Sequence, residues 1–92
     1  MREWREIDAE KYGELVYRFE KWHMRADSRD YTYINIYIAS KTTGEYYYTG
    51  YLPDMDEGAA HKRVLEIVHE YMNENYSDIL IKEMTIRARR GQ

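Results

Sequence analysis

Residues 31–40, Tyr-Thr-Tyr-Ile-Asn-Ile-Tyr-Ile-Ala-Ser, constrain the fold more than any other stretch of the chain. They alternate strictly, so an extended backbone puts Thr32, Ile34, Ile36 and Ile38 on one face. Tyr31, Tyr33, Asn35, Tyr37 and Ala39 then share the other. A helix would scatter both sets around its axis, whereas β-branched and aromatic side chains suit a pleated surface. The segment is therefore a strand whose two faces differ in kind, one aliphatic and one phenolic.

Its neighbours extend the pattern into an antiparallel sheet. Residues 14–24 alternate loosely, with Leu15, Tyr17 and Phe19 on one face and Val16, Arg18, Glu20, Trp22 and Met24 on the other. The polar run 25–30 reads as a turn, because Asp and Ser side chains hydrogen-bond their own backbone. Lys41-Thr42-Thr43-Gly44-Glu45 reads as a hairpin loop, with glycine available for a left-handed position. Residues 45–52 return as the next strand. A three-residue loop closed by a Lys41–Glu45 ion pair sets Ile38 against Tyr48, Ile36 against Gly50 and Ile34 against Leu52. A four-residue loop would move Leu52 opposite Tyr33 and off the isoleucine face, so the first register is preferred. It gathers Tyr31, Tyr33, Tyr37, Tyr47 and Tyr51 on the face away from the isoleucines.

Pro53, the single proline, marks a change of period. Asp54 and Glu57 have capping-box spacing, and the three acids there suit the positive end of a helix dipole. A helix is expected from that point to about Asn75, with Ala60, Val64, Ile67, Val68 and Tyr71 as its apolar stripe. A break at residues 73–77 would lead to a last strand over 78–88 and a short tail, 89–92. Residues 1–13 read as a weakly structured lead-in, with one helical turn over 8–12 ended by Gly13. The expectation is one small α+β domain spanning residues 1–92. Its order is β-β-β-α-β, a mostly antiparallel sheet of about four strands with one long helix on the aliphatic face. A strand–helix–strand crossover would make the last pairing parallel. One helix cannot cover both faces, so the tyrosine face is left open.

Composition removes several classes of function. The chain has no cysteine, which excludes disulfides, thiolate catalysis and thiolate metal sites. Its net charge of −3 gives no bulk attraction to nucleic acid or anionic membrane. No apolar run approaches the roughly 20 residues that span a bilayer. No signal-peptide pattern follows Met1, so a cytoplasmic location is expected. His61 and His69 lie eight residues apart on the expected helix, about 12 Å along its axis, too far for one ion. His61 falls at the border of the apolar stripe. Asp54, Asp56 and Glu57 lack calcium-loop spacing and serve as caps, so neither metal nor cofactor is expected. No glycine-rich phosphate loop or nucleophile-elbow serine is present, and the chain is read as non-enzymatic.

What remains distinctive is tyrosine, eleven in 92 residues, with seven of them between Tyr31 and Tyr51. Rings on an open sheet can stack nucleic-acid bases, but that needs cations to follow the phosphates. Residues 31–60 hold Glu45, Asp54, Asp56 and Glu57 against Lys41 alone. A tyrosine-rich, acidic face suits a protein partner better, or a second copy of the chain. Composition by itself suggests an inhibitor or adaptor of phage or mobile-element type. The alternative is nucleic-acid binding, with the same rings joined by Arg87, Arg89, Arg90 and Lys41.

Overall fold

The computed structural model describes residues 3–91, so Met1, Arg2 and the end of the expected tail, Gln92, lie outside the described residues. The elements are β1 (Arg5–Glu6), α1 (Ala9–Tyr12), β2 (Leu15–Ala26), β3 (Arg29–Ser40), β4 (Tyr46–Pro53) and α2 (Glu57–Arg89). The strands form one antiparallel sheet in the order β1-β2-β3-β4, which is also chain order. The architecture is α+β, with four antiparallel strands and one long helix.

The isoleucines explain the layering. Ile34, Ile36 and Ile38 are fully buried with Leu15, Tyr17 and Phe19 of β2, against Ala60, Val64, Val68, Met72 and Ile79 of α2. Each such aliphatic side chain removed from water contributes about 1.5–3 kcal/mol, so this layer holds helix to sheet. Tyr17 donates to or accepts from His61 Nε2 at 3.0 Å, which places His61 at the edge of the layer, as its stripe position implies.

The β3–β4 register combines both loop geometries. In the body of the hairpin Ile38 faces Tyr48, Ile36 faces Gly50 and Ile34 faces Leu52. At the loop end, however, Ser40 N–H donates to the Glu45 carbonyl at 2.9 Å, and Ala39 faces Tyr46. The loop therefore has four residues, with Gly44 at φ 75°. A β-bulge at Tyr47 absorbs the extra residue. The expected Lys41–Glu45 pair does not form. Lys41 reaches Glu6 at 3.7 Å, while Glu45 takes Lys82 of α2 at 3.0 Å.

Gly50 is required by a close approach. The Tyr48 ring crosses it, and a Cβ there would lie 2.7 Å from Tyr48 Cζ and 2.9 Å from Cε1. Tyr48 in turn packs on Tyr71 of α2, ring centroids 5.0 Å apart. Gly50→Ala must push the ring off this seat, and a loss of about 1–3 kcal/mol is expected. Urea denaturation of the variant checks it.

The β2–β3 connection is tighter than the polar run suggests. Strand pairing continues to Ala26 opposite Arg29, leaving Asp27 and Ser28 as the whole turn. Both have positive φ, 51° and 62°, as a two-residue turn matched to the twist of a hairpin demands. At the N-terminus, Asp8 caps α1 by accepting from Glu10 N–H and Lys11 N–H, and Gly13 ends it at φ 60°.

Residues 78–88 are not a strand; α2 runs unbroken through residues 73–77 to Arg89. At 33 residues and about 1.5 Å per residue it spans roughly 50 Å. The fourth strand is β1 instead, and no parallel pairing exists among the described residues. No proline and no glycine falls between Gly58 and Gly91. The buried stripe of Ala60, Val64, Val68 and Met72 continues in phase through Ile79 to Glu83. The N-cap is Asp56, which accepts from Ala59 N–H at 3.0 Å, and not Asp54. Asp54 pairs with Lys21 Nζ at 3.0 Å, drawn out of the cap by the end of β4.

Glu83 latches the last turns of α2 to the hairpin loop. Its carboxylate accepts from Ser40 Oγ, from Thr43 Oγ1 at 2.7 Å and from the Tyr47 hydroxyl. Burial pushes this carboxyl upward, but the hydroxyls of Ser40, Tyr47 and Thr43 and the charge of Arg87 hold it below the usual carboxylate value. Burial and the same carboxylate push the Tyr47 phenol well above its usual range.

Candidate protein interface

The face of the sheet turned away from α2 is built by cross-strand pairs. Val16 lies opposite Ala39, Arg18 opposite Tyr37, Glu20 opposite Asn35, Trp22 opposite Tyr33 and Met24 opposite Tyr31. From β4, Tyr51 lies opposite Asn35, Thr49 opposite Tyr37 and Tyr46 opposite Ala39. Tyr31, Tyr33, Tyr37 and Tyr51 thus occupy the face on which the sequence places them. Tyr47 does not. The bulge turns it to the helix side, where it meets Glu83, and Tyr46 takes its place beside Tyr37 with ring centroids 6.1 Å apart.

The structure adds Trp4, Trp22, Met24 and Tyr46, which sequence reasoning left out. The signal for Trp22 and Met24 was present in their shared alternation with Arg18 and Glu20. Assigning them to this face needed the two-residue turn at Asp27-Ser28, because that turn fixes Trp22 opposite Tyr33. Trp22, Met24, Tyr31, Tyr46 and Tyr51 are all exposed, Tyr51 to 77%. Met24, Tyr31, Tyr33, Asn35 and Tyr51 line a cleft of about 530 Å³. At the other end, Trp4 and Tyr46 meet edge to face at 5.8 Å and, with Val16 and Ala39, line a smaller depression of about 250 Å³.

Two charges lie at the centre, and they neutralise each other. The Arg18 guanidinium sits 4.8 Å from the Trp4 ring centroid and 4.6 Å from that of Tyr37, and it pairs with Glu20 at 3.2 Å. Glu20 also accepts from Trp22 Nε1 at 2.9 Å. That hydrogen bond foremost, with Arg18, holds the Glu20 carboxyl below its usual range. Burial, and then the Glu20 charge, push the Tyr37 phenol up.

The face is therefore neutral at its centre and not acidic. Of the acids counted along residues 31–60, Glu45 and Asp54 pair with Lys82 and Lys21 on the helix side, and Asp56 and Glu57 begin α2. The candidate cations do not join the rings either. Arg87 and Arg89 belong to α2 and Arg90 caps it, donating to the Thr43 carbonyl at 3.0 Å. Residues 87–90 cannot line a strand edge because they end a helix. Lys41, at the hairpin, is paired with Glu6.

Among the described residues, no helix is long and apolar enough to cross a membrane, and no group of three or more metal-ligating side chains is gathered. A second, smaller apolar patch lies on α2, where Leu80, Ile81 and Met84 are exposed. Comparison with models of known families, with curated proteins and with solved structures returns no match to this chain.

Proposed function

We propose that this chain is a non-enzymatic interaction module that binds a protein partner through the open aromatic face of its sheet. The carrying observation is the row of exposed rings, Trp22, Tyr31, Tyr46 and Tyr51, around Tyr33 on the one face that α2 leaves uncovered. Tyrosine and tryptophan bury large areas at low entropic cost and keep a polar end for hydrogen bonding, which is why they dominate protein interfaces. With 12 residues in each of β2 and β3, 8 in β4 and 2 in β1, at about 3.3 Å per residue and 4.8 Å per strand, the face projects to roughly 540 Å². That is the scale of a functional patch. The Arg18–Glu20 pair supports the same reading, since covering the centre of the face strands no lone charge. Such a module would serve as a cytoplasmic inhibitor or adaptor. Nucleic-acid binding is disfavoured because the arginines of α2 lie on the opposite layer from the rings.

The test is capture from an extract of the source cell, comparing the native chain with the Tyr33→Ala, Tyr37→Ala double variant. Partners held by the native chain are expected to be lost by the variant, with the circular dichroism of the fold unchanged. An identical captured set defeats the reading. Affinity for single-stranded DNA or RNA that falls steeply between about 50 and 200 mM salt would replace it with nucleic-acid binding.

A further inference from the structure

We infer that the occupant of the open face is a second copy of this chain, packed sheet to sheet about a two-fold axis. This rests on the reading of that face as a protein-docking surface and names the partner.

The register of the sheet holds a coincidence. Phe19 pairs with Ile36, and this level of the sheet divides the face in two. Arg18 and Glu20 lie one residue to either side of Phe19, on the open face. Ala39, with Tyr46 beside it, and Tyr33 lie three residues to either side of Ile36. Consider a two-fold axis between the two sheets, running across the strands at this level. It sets Arg18 of each copy over Glu20 of the other, and it sets the Trp4–Tyr46 ring pair of each copy over the end of the face that holds Trp22 and Tyr33 in the other. Charge thus becomes self-complementary, and aromatic rings meet aromatic rings, about the same axis, as an isologous interface requires.

Chemistry and size agree. Phenolic hydroxyls both donate and accept, so two like rows can satisfy each other. The centre of the face, where Arg18 and Glu20 balance, does not repel its own copy. Sheets pack face to face at about 10 Å, and roughly 540 Å² of projected face, roughened by side chains, is on the scale of the ~800 Å² per partner of a standard interface.

Sedimentation from about 1 to 200 µM is expected to show a monomer–dimer equilibrium with a dissociation constant in the micromolar range. Tyr46→Glu alone and Tyr33→Lys alone should each weaken it by about 30-fold or more, because each places a charge in an apolar seat. Mixing the two variants should restore a heterodimer, since the carboxylate introduced at position 46 of one copy then meets the ammonium introduced at position 33 of the other. Ile81→Glu, on the helix patch, should leave the dimer unchanged, and circular dichroism verifies that every variant folds. A monomer across the whole range, a dimer indifferent to both sheet variants, no recovery on mixing, or dissociation by Ile81→Glu each overturns the inference. The first of these removes self-pairing alone, and the docking reading then rests on the capture comparison.

Discussion

Replacing Glu83 with alanine is expected to destabilise the protein by about 3 kcal/mol, lowering the melting temperature by roughly 12–24 °C for a domain of this size. The substitution leaves the hydroxyls of Ser40, Thr43 and Tyr47 without their acceptor in a site where Glu83 is only 6% exposed. It also leaves the Arg87 charge without the carboxylate that balances it. Buried donors that lose their partner cost their full desolvation, which is larger than the net worth of a hydrogen bond. Glu83→Gln should recover little, because an amide offers one accepting oxygen and turns two donors toward hydroxyls that already donate. Thermal unfolding followed by circular dichroism measures both.

The same site fixes a pH dependence with a definite sign. The folded carboxyl lies below its ordinary value of 4.5, so its contribution is present above that value and fades as pH falls through the folded value. The Tyr47 phenol lies above its ordinary value of 10.0, so its contribution is intact below pH 10 and fades on raising the pH further. The native chain should lose stability at both ends of the range. Glu83→Gln should flatten the acid limb.

Ile36→Ala is the other large effect, about 4 kcal/mol as read by urea denaturation. Ile36 is completely buried at the middle of β3, between Phe19 on one neighbouring strand and Gly50 on the other, beneath α2. Truncation removes transfer free energy and leaves a cavity. Gly50 offers no side chain to fill it. Ile34→Ala, opposite Leu52 and nearer the strand end, should cost less because Leu52 can relax toward the gap.

The hairpin body was legible because only one register keeps Ile34, Ile36, Ile38 and Leu52 on one face. The bulge was not, since nothing in Glu-Tyr-Tyr-Tyr distinguishes the tyrosine that turns inward. What decides it is Glu83, thirty-six residues away, which supplies an acceptor on the helix side. Glu83 also hid the end of the helix. An acid at a core position interrupts the apolar stripe, and Ile79 and Ile81 then read as alternation. In the folded chain Ile79 is buried while Ile81 is 64% exposed, a split that a strand would not produce. The open face was half legible. Four of its tyrosines followed from β3 and β4, but Trp22 and Met24 required a turn whose two residues both take left-handed conformations.

Strand order matching chain order has a consequence for how the protein is made. Each strand, as it leaves the ribosome, can zip onto the one before it without waiting for any later segment. The cover for Ile34, Ile36 and Ile38 arrives only with residues 60–79 of α2. At about 5–20 residues per second, the nascent sheet carries a bare greasy side for a few seconds of synthesis. During that interval both sides of the ribbon are sticky, one aliphatic and one aromatic, and early strand zipping without a helix is the state most open to chaperone capture.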